Sequence, residues 1–215
     1  MALPSALVLD FDGLILDTET ALIDAWSAVH QEQGCAFDRA RGAGIIGHVG
    51  IVFDPWEGIP PAVDRDHLQD RFVILKDRII SDQPILPGVV ALLDHAHAEG
   101  IPLAVASNSP HDHVDRHLQR LGLFERFATV VCREDVPHGK PAPDVYLEAC
   151  RRLTADPAAA IAFEDSVPGH HAAHAAGLRV VVIPNPCTVD HTFTHAARRL
   201  DTLADVPPAA LLTSL

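Results

Sequence analysis

The chain's first apolar run, Leu7-Val8-Leu9, breaks directly into Asp10-Phe11-Asp12-Gly13. A short apolar run bounded by a turn signal reads as a buried strand that stops at a polar turn. Side chains at i and i+2 of an extended strand point to one side, so Asp10 and Asp12 face together. Two like charges that close are unfavourable unless a cation or a shared proton relieves them. For this stretch taken alone, an ordinary Asp-Gly turn is the simpler alternative.

Helical periodicity follows. Ala21, Leu22, Ala25, Trp26 and Val29 predict a helix from about Glu19 to Gln33, capped by Thr18 and ended by Gly34. Leu68, Phe72, Leu75 and Ile79 predict another from His67 to Ile80. No period-two alternation occurs between Leu16 and Gln83, so that stretch reads as a small all-helical insertion.

From Pro87 the texture changes to strand and helix in alternation. Helices are expected at Gly88 to Glu99, His111 to Leu121, Pro143 to Leu153 and around Ala172 to Ala176; Gly100, Gly122 and Gly177 close the first, second and last. Strands are expected at Pro102 to Ala106, Thr129 to Cys132, Ala160 to Phe163 and Arg179 to Ile183. The expected fold is α/β. A Rossmann-like parallel sheet core flanked by helices takes residues 1–15 and 84–215, and a helical cap, residues 16–83, is inserted after the first strand.

Composition narrows the function classes. At 215 residues and 48% hydrophobic the chain can bury a sizeable core, and no run reaches the about 18 apolar residues of a membrane span. Met1-Ala2-Leu3-Pro4 leads almost directly into the first strand, with no signal peptide expected, so a cytoplasmic monomer is the expectation. Cys35, Cys132, Cys150 and Cys187 form no C-x-x-C pair and are expected to stay reduced. A net charge of −13 argues against a nucleic-acid or anionic-membrane partner. A small anionic substrate stays possible where a metal reverses the local field. The sixteen Lys and Arg include only two lysines, Lys76 and Lys140, a mild hint that a compact ammonium is needed at one of them.

In parallel sheets, ligands bind outside the carboxyl ends of the strands. Those ends are predicted to deliver Asp10 and Asp12, then Ser107-Asn108, then the Lys140-Pro141 loop, then Glu164 and Asp165. Four carboxylates, one ammonium and a hydroxyl-amide pair on one rim make a poor core and a good Mg2+ site.

Asp10-Phe11-Asp12-Gly13 with Asp17-Thr18-Glu19, Ser107-Asn108, Lys140-Pro141-Ala142-Pro143-Asp144 and Glu164-Asp165-Ser166-Val167-Pro168-Gly169 together resemble the four ordered motifs of the haloacid dehalogenase-like hydrolase superfamily. More narrowly, the order is similar to the subclass with a helical cap after the first motif, including β-phosphoglucomutase-like phosphatases. The resemblance implies a Mg2+-dependent phosphatase acting on a small phosphorylated metabolite. Asp10 would be the nucleophile that becomes an aspartyl-phosphate, and Asp12 the general acid and base. Lys140 would neutralise the transferring group and anchor Asp10. Ser107, the Asn108 backbone N–H and Gly13 would belong to the phosphate-binding set. Asp10, the Asp12 carbonyl and Asp165 would hold the metal, with Glu164 either on it or one contact behind.

Mutases of this family carry a histidine on the first cap helix and a lysine and an arginine from a cap loop; here those positions read Leu22, Ile46 and Gly50, which disfavours phosphomutase activity. Dehalogenation is disfavoured by the presence of Asp12, and a non-catalytic phosphate-binding module by the completeness of the set.

Other readings stand beside these. Ser107-Asn108-Ser109-Pro110 also suits a helix start, with Ser109 as cap and Pro110 first, which is compatible with phosphate binding. Asp17, Thr18 and Glu19 read as braces of the turn, and Asp144 as the cap of the helix after the lysine. Among fourteen histidines, the groups His111/His113/His117 and His170/His171/His174 read as solvated helix faces. His48, in the glycine-rich stretch 44–50, is a candidate substrate contact from the cap.

Overall fold

The computed structural model describes residues 3–44, 46 and 53–215. Its centre is β1 (Leu7–Leu9), paired in parallel with β2 (Leu103–Ala106) on one side and β4 (Ile161–Glu164) on the other. β3 (Thr129–Val131), β5 (Arg179–Val182) and β6 (Arg198–Arg199) complete a six-stranded parallel sheet in the order β3-β2-β1-β4-β5-β6.

Alternation along the strands sorts the core into two layers. Leu7, Leu9, Val105 and Phe163 face α4 (Val89–Ala98), α5 (His111–Arg120) and α8 (Pro208–Thr213), meeting Leu92, Leu93, Val114, Leu118 and Leu211. Val8, Ala104, Ala162 and Val180 face α6 (Asp144–Leu153) and α7 (Val167–Ala175), meeting Val145, Tyr146, Ala149, Ala172 and Ala173. Each large side chain buried this way stabilises by about 1.5–3 kcal/mol before entropy is counted. β1 is buried on both faces, so the carboxylates that follow it emerge from a rigid base.

α1 (Thr18–Glu32), α2 (Arg39–Ala43) and α3 (Arg65–Asp82) lie between the two halves of this core in sequence, and α1 and α3, with the segments between them, build a hydrophobic cluster of their own. Trp26 stacks on Phe72 at 5.5 Å, and Val29, Trp56 and Leu68 fill in around them. The outgoing and returning chains touch where Leu16 bridges Ile85 and Leu86 N–H donates to Ile15 O at 3.0 Å. Arg120 from α5 donates to the last carbonyls of α3, Ile80 O at 3.3 Å and Ser81 O at 3.0 Å, where cations are favoured. No helix among the described residues is long and apolar enough to cross a membrane.

Several expected details change. Asp17, not Thr18, caps α1: its carboxylate accepts from Thr20 N–H at 2.9 Å, leaving the Thr18 hydroxyl free to point elsewhere. Ser109 does not cap α5, where Pro110 stands at the cap position, because its hydroxyl is drawn to a carboxylate instead. Asp144 is the first residue of α6 rather than its cap. α2, α8 and β6 are too short for periodicity to reveal. The solvated-face reading of the histidines fails for His117 and His170, which are 1% and 0% exposed. α5 and α7 turn those positions onto the sheet.

His117 stacks on Phe11 and accepts at Nδ1 from Arg120 Nε–H at 3.4 Å. Burial, with His113, Arg116 and Arg120 nearby, pushes its pKa down to about 4. An unfolded histidine titrates near 6.5, so as pH drops from 6.5 to 4 the unfolded chain takes up a proton the folded one refuses, and stability decreases as the pH is lowered. His117→Gln is expected to flatten that part of the stability profile, measured by urea unfolding across pH 4 to 7; an unchanged slope overturns it.

Candidate active site

The carboxyl ends of β1, β2 and β4 and the loop after β3 converge on one cavity of about 480 Å3. Asp10, Asp12, Ser107, Asn108, Lys140 and Asp165 line it, so the rim predicted from the strand ends is assembled. Glu164 is fully buried just behind. Gly13 lies outside the cavity, against Asp165 and Asn185. His48 lies outside the described residues, as does Gly50.

Lys140 organises the centre. Its Nζ donates to Asp10 Oδ1 at 2.7 Å and to Glu164 Oε1 at 2.6 Å. Burial alone would favour a neutral amine, but the two carboxylates hold the ammonium charged, above its ordinary range. Asn108 clasps the lysine's backbone: its Oδ1 accepts from Lys140 N–H at 2.7 Å and its Nδ2 donates to Lys140 O at 3.1 Å. The Asn108 side chain thus positions a cation.

Glu164 has its acceptors committed. Oε1 takes Lys140 and the Tyr146 hydroxyl, and Oε2 takes Asp165 N–H, Ser166 N–H and the Ser166 hydroxyl. The carboxylate is seated against Gly169, where a Cβ would fall 2.0 Å from Oε1. Such a group braces the lysine.

Asp165 has one oxygen spoken for and one not. Oδ2 accepts from Asn185 Nδ2 at 2.6 Å, and Thr188 Oγ1 donates to the Asp165 carbonyl at 2.8 Å. Oδ1 is buried and, among the described residues, has no hydrogen-bond partner. Burial, then Asp10 and Glu164, push this carboxyl well above the usual range. Burial likewise raises Asp10 to about 7, with Lys140 pulling the other way. Asp10, Glu164 and Asp165 bring ligand oxygens within 4.8 Å of one another. An orphaned oxygen among crowded carboxylates fits a hard divalent cation, and the donor set is the one Mg2+ takes.

Asp12 is held by donors from three elements. Oδ1 accepts from Thr18 Oγ1 on α1 at 2.8 Å and lies 2.9 Å from His113 Nε2 on α5; Oδ2 accepts from Ser109 Oγ at 2.6 Å and Ser107 Oγ at 3.4 Å. Burial raises its pKa, but these donors outweigh it and hold the carboxyl down at about 2.

His113, read earlier as solvated, therefore lines the site from α5, and Ser109 joins it from the loop that precedes that helix. Their signal was positional, since both fall within the first turn or so after the β2 strand end. Asn185, Thr188 and Tyr146 gave no signal, because their roles arise from packing. From the cap, Leu22, Lys76 and Ile80 line the far wall. Glu19 lines it too, its pKa raised to about 8 by burial and then by Asp12 and Asp10.

With this geometry in place, the comparisons are specific. The model of the haloacid dehalogenase-like hydrolase family matches residues 4–177. The chain is 34% identical over 214 residues to YhcW of Bacillus subtilis, which carries a phosphatase name, covering 98% of this chain and 97% of that protein. It is 29% identical over 213 residues to hexitol phosphatase B of Escherichia coli, covering 96% of each. The crystal structure of CbbY from Rhodobacter sphaeroides in complex with phosphate superposes with a TM-score of 0.78 at 26% identity, covering 98% of this chain and 99% of that one. The chain belongs to the haloacid dehalogenase-like hydrolase family.

Gly13 sits at φ +75°, and a Cβ there would fall 2.2 Å from Asp165 Oδ2 and 2.5 Å from Asn185 Nδ2. Gly13→Ala is expected to destabilise the fold by at least about 1–3 kcal/mol from the backbone alone. It should also weaken divalent-cation binding by displacing Asp165. Urea unfolding and Mg2+ titration check the two effects.

Proposed function

We propose that the chain is a Mg2+-dependent phosphatase that hydrolyses a small phosphomonoester through an aspartyl-phosphate on Asp10. The observation that carries this reading is the Lys140 ammonium bonded to Asp10 inside a rim of carboxylates, facing a cavity large enough for a small metabolite. The rim has more negative than positive charge, so an anionic ester is repelled until a cation is added. Asp10, Asp165 and the Asp12 backbone carbonyl would hold Mg2+, with Glu164 behind Lys140. Bound there, the ion supplies positive charge to the phosphate oxygens.

An oxygen of Asp10 attacks phosphorus as the bond to the leaving oxygen breaks. Lys140 keeps Asp10 oriented and offsets charge on the transferring group. Ser107 Oγ and the Asn108 N–H hold phosphate oxygens. Asp12, ionised at rest, relays the proton of a monoprotonated phosphate ester to the leaving oxygen. It then takes one from the water that attacks phosphorus and releases Asp10. Thr18 reaches Asp12 from the cap, so cap position and Asp12 orientation are linked in this reading. Leu22, Lys76 and Ile80 would meet the leaving group, with Lys76 suited to a second anionic substituent.

The phosphatase names among the relatives support this reading over the mutase. So does the Leu22 side chain, apolar at the place where the family's mutases carry a histidine.

Hydrolysis of p-nitrophenyl phosphate in Mg2+ is expected, with chelation abolishing it and Asp10→Asn lowering kcat by at least about a thousandfold. Asp12→Asn is expected to cost roughly 10²–10⁴. A folded, Mg2+-loaded wild type without turnover overturns the enzyme reading. Conversion of β-glucose-1-phosphate to glucose-6-phosphate in the presence of the bisphosphate, without release of phosphate, overturns the choice of phosphatase over mutase.

A further inference from the structure

Away from the cavity, α7 and the loop after β5 bring four imidazoles together. His170 is fully buried, and both of its ring nitrogens are committed. Its Nε2 accepts from the His195 backbone N–H at 3.1 Å, so the proton is on Nδ1, which donates to Val167 O at 3.2 Å. The Phe193 ring meets the His170 ring edge-on at 5.4 Å. These contacts moor the loop on α7 and station His195 beside two further histidines.

The His195 ring stacks on His174 at 4.1 Å between centroids and lies 5.7 Å from His171. His171 and His174 are three apart on α7, a spacing that puts both on one helix face. His174 and His195 are exposed and His171 is half-buried. Among the described residues, none of these three rings has a hydrogen bond or ion pair within the protein.

An imidazole nitrogen about 2.0–2.1 Å from a tetrahedral ion sets neighbouring ring centroids roughly 5 Å apart. Of the three ring pairs, His171 and His195 at 5.7 Å lie near that distance, and His174 and His195 at 4.1 Å are closer than it. As they stand the nitrogens do not converge, because His174 and His195 are parallel within 4°. Binding an ion between them therefore requires the exposed His174 and His195 side chains to change rotamer, and no side-chain hydrogen bond among the described residues opposes that.

We propose that His171, His174 and His195 form a second metal site, for a late first-row divalent ion such as Zn2+. Neutral nitrogen donors with no carboxylate among them select such ions over Mg2+, whereas the oxygen set at Asp10 and Asp165 has the opposite preference. An ion held there ties the loop after β5 to α7. That loop carries Asn185 and Thr188, which hold Asp165 in place. The site is thus a staple on the element that supports the proposed catalytic metal ligand.

The test uses full-length protein free of any affinity tag, dialysed against Zn2+ in a large excess of Mg2+. One Zn2+ per chain is expected, together with a rise in Tm. His174→Ala/His195→Ala, both at exposed positions, should weaken Zn2+ binding at least tenfold and remove the rise in Tm. Asp165→Asn should leave Zn2+ binding intact. Retention of binding by the double variant, or its loss only in Asp165→Asn, overturns the proposal. As a check without substitutions, Zn2+ should shift the imidazole 15N resonances of His171, His174 and His195 in the wild type; a titration that leaves all three unmoved overturns it equally.

Discussion

A single buried ammonium, shared between Asp10 and Glu164, is the interaction on which the site depends. Removing one partner of such a buried group is costly, about 3–5 kcal/mol, because it strands a charge where water cannot reach. Lys140 therefore has to arrive accurately, and the fold devotes other groups to it. Asn108 grips its backbone on both sides, and Tyr146 and the start of α7 saturate Glu164. A strand end, a loop and a helix start are locked together by satisfying one lysine.

The same arithmetic leaves the rim incomplete. Lys140 neutralises part of the charge of Asp10, Glu164 and Asp165, and the pKa values of Asp10 and Asp165 are raised by burial first and by the neighbouring carboxylates second. The orphaned Asp165 oxygen marks where that excess negative charge has no internal answer. Glu164 is fully occupied with the lysine and the α7 N-terminus, so the two acidic neighbours in sequence have separate tasks. One braces a cation of the protein, and the other is available for a cation from solution.

Asp12 joins the cap to the core. Its donors come from α1 of the cap, from the loop after β2 and from α5 of the core. Farther along α5, His117 and Arg120 continue the line from His113 to the carbonyls that end α3. One core helix thus touches the carboxylate at one end and the last turn of α3 at the other.

The alternation of apolar runs with helical stripes already specified the α/β class, the parallel sheet and the helical insertion. These depend on local periodicity, which survives without coordinates. Asp10, Asp12, Ser107, Asn108, Lys140 and Asp165 were legible because each stands at a strand end or in an ordered motif. What the chain alone left open was direction. Which donors Glu164 meets, whether Thr18 and Ser109 capped helices or served Asp12, and whether His113 and His170 faced water or protein were all decided by packing. A helix position does not know which side its neighbours will cover until the sheet, hinge and cap are assembled. Residues whose partners lie twenty or a hundred positions away, such as Asn185 and His113, carry no local pattern that could announce them.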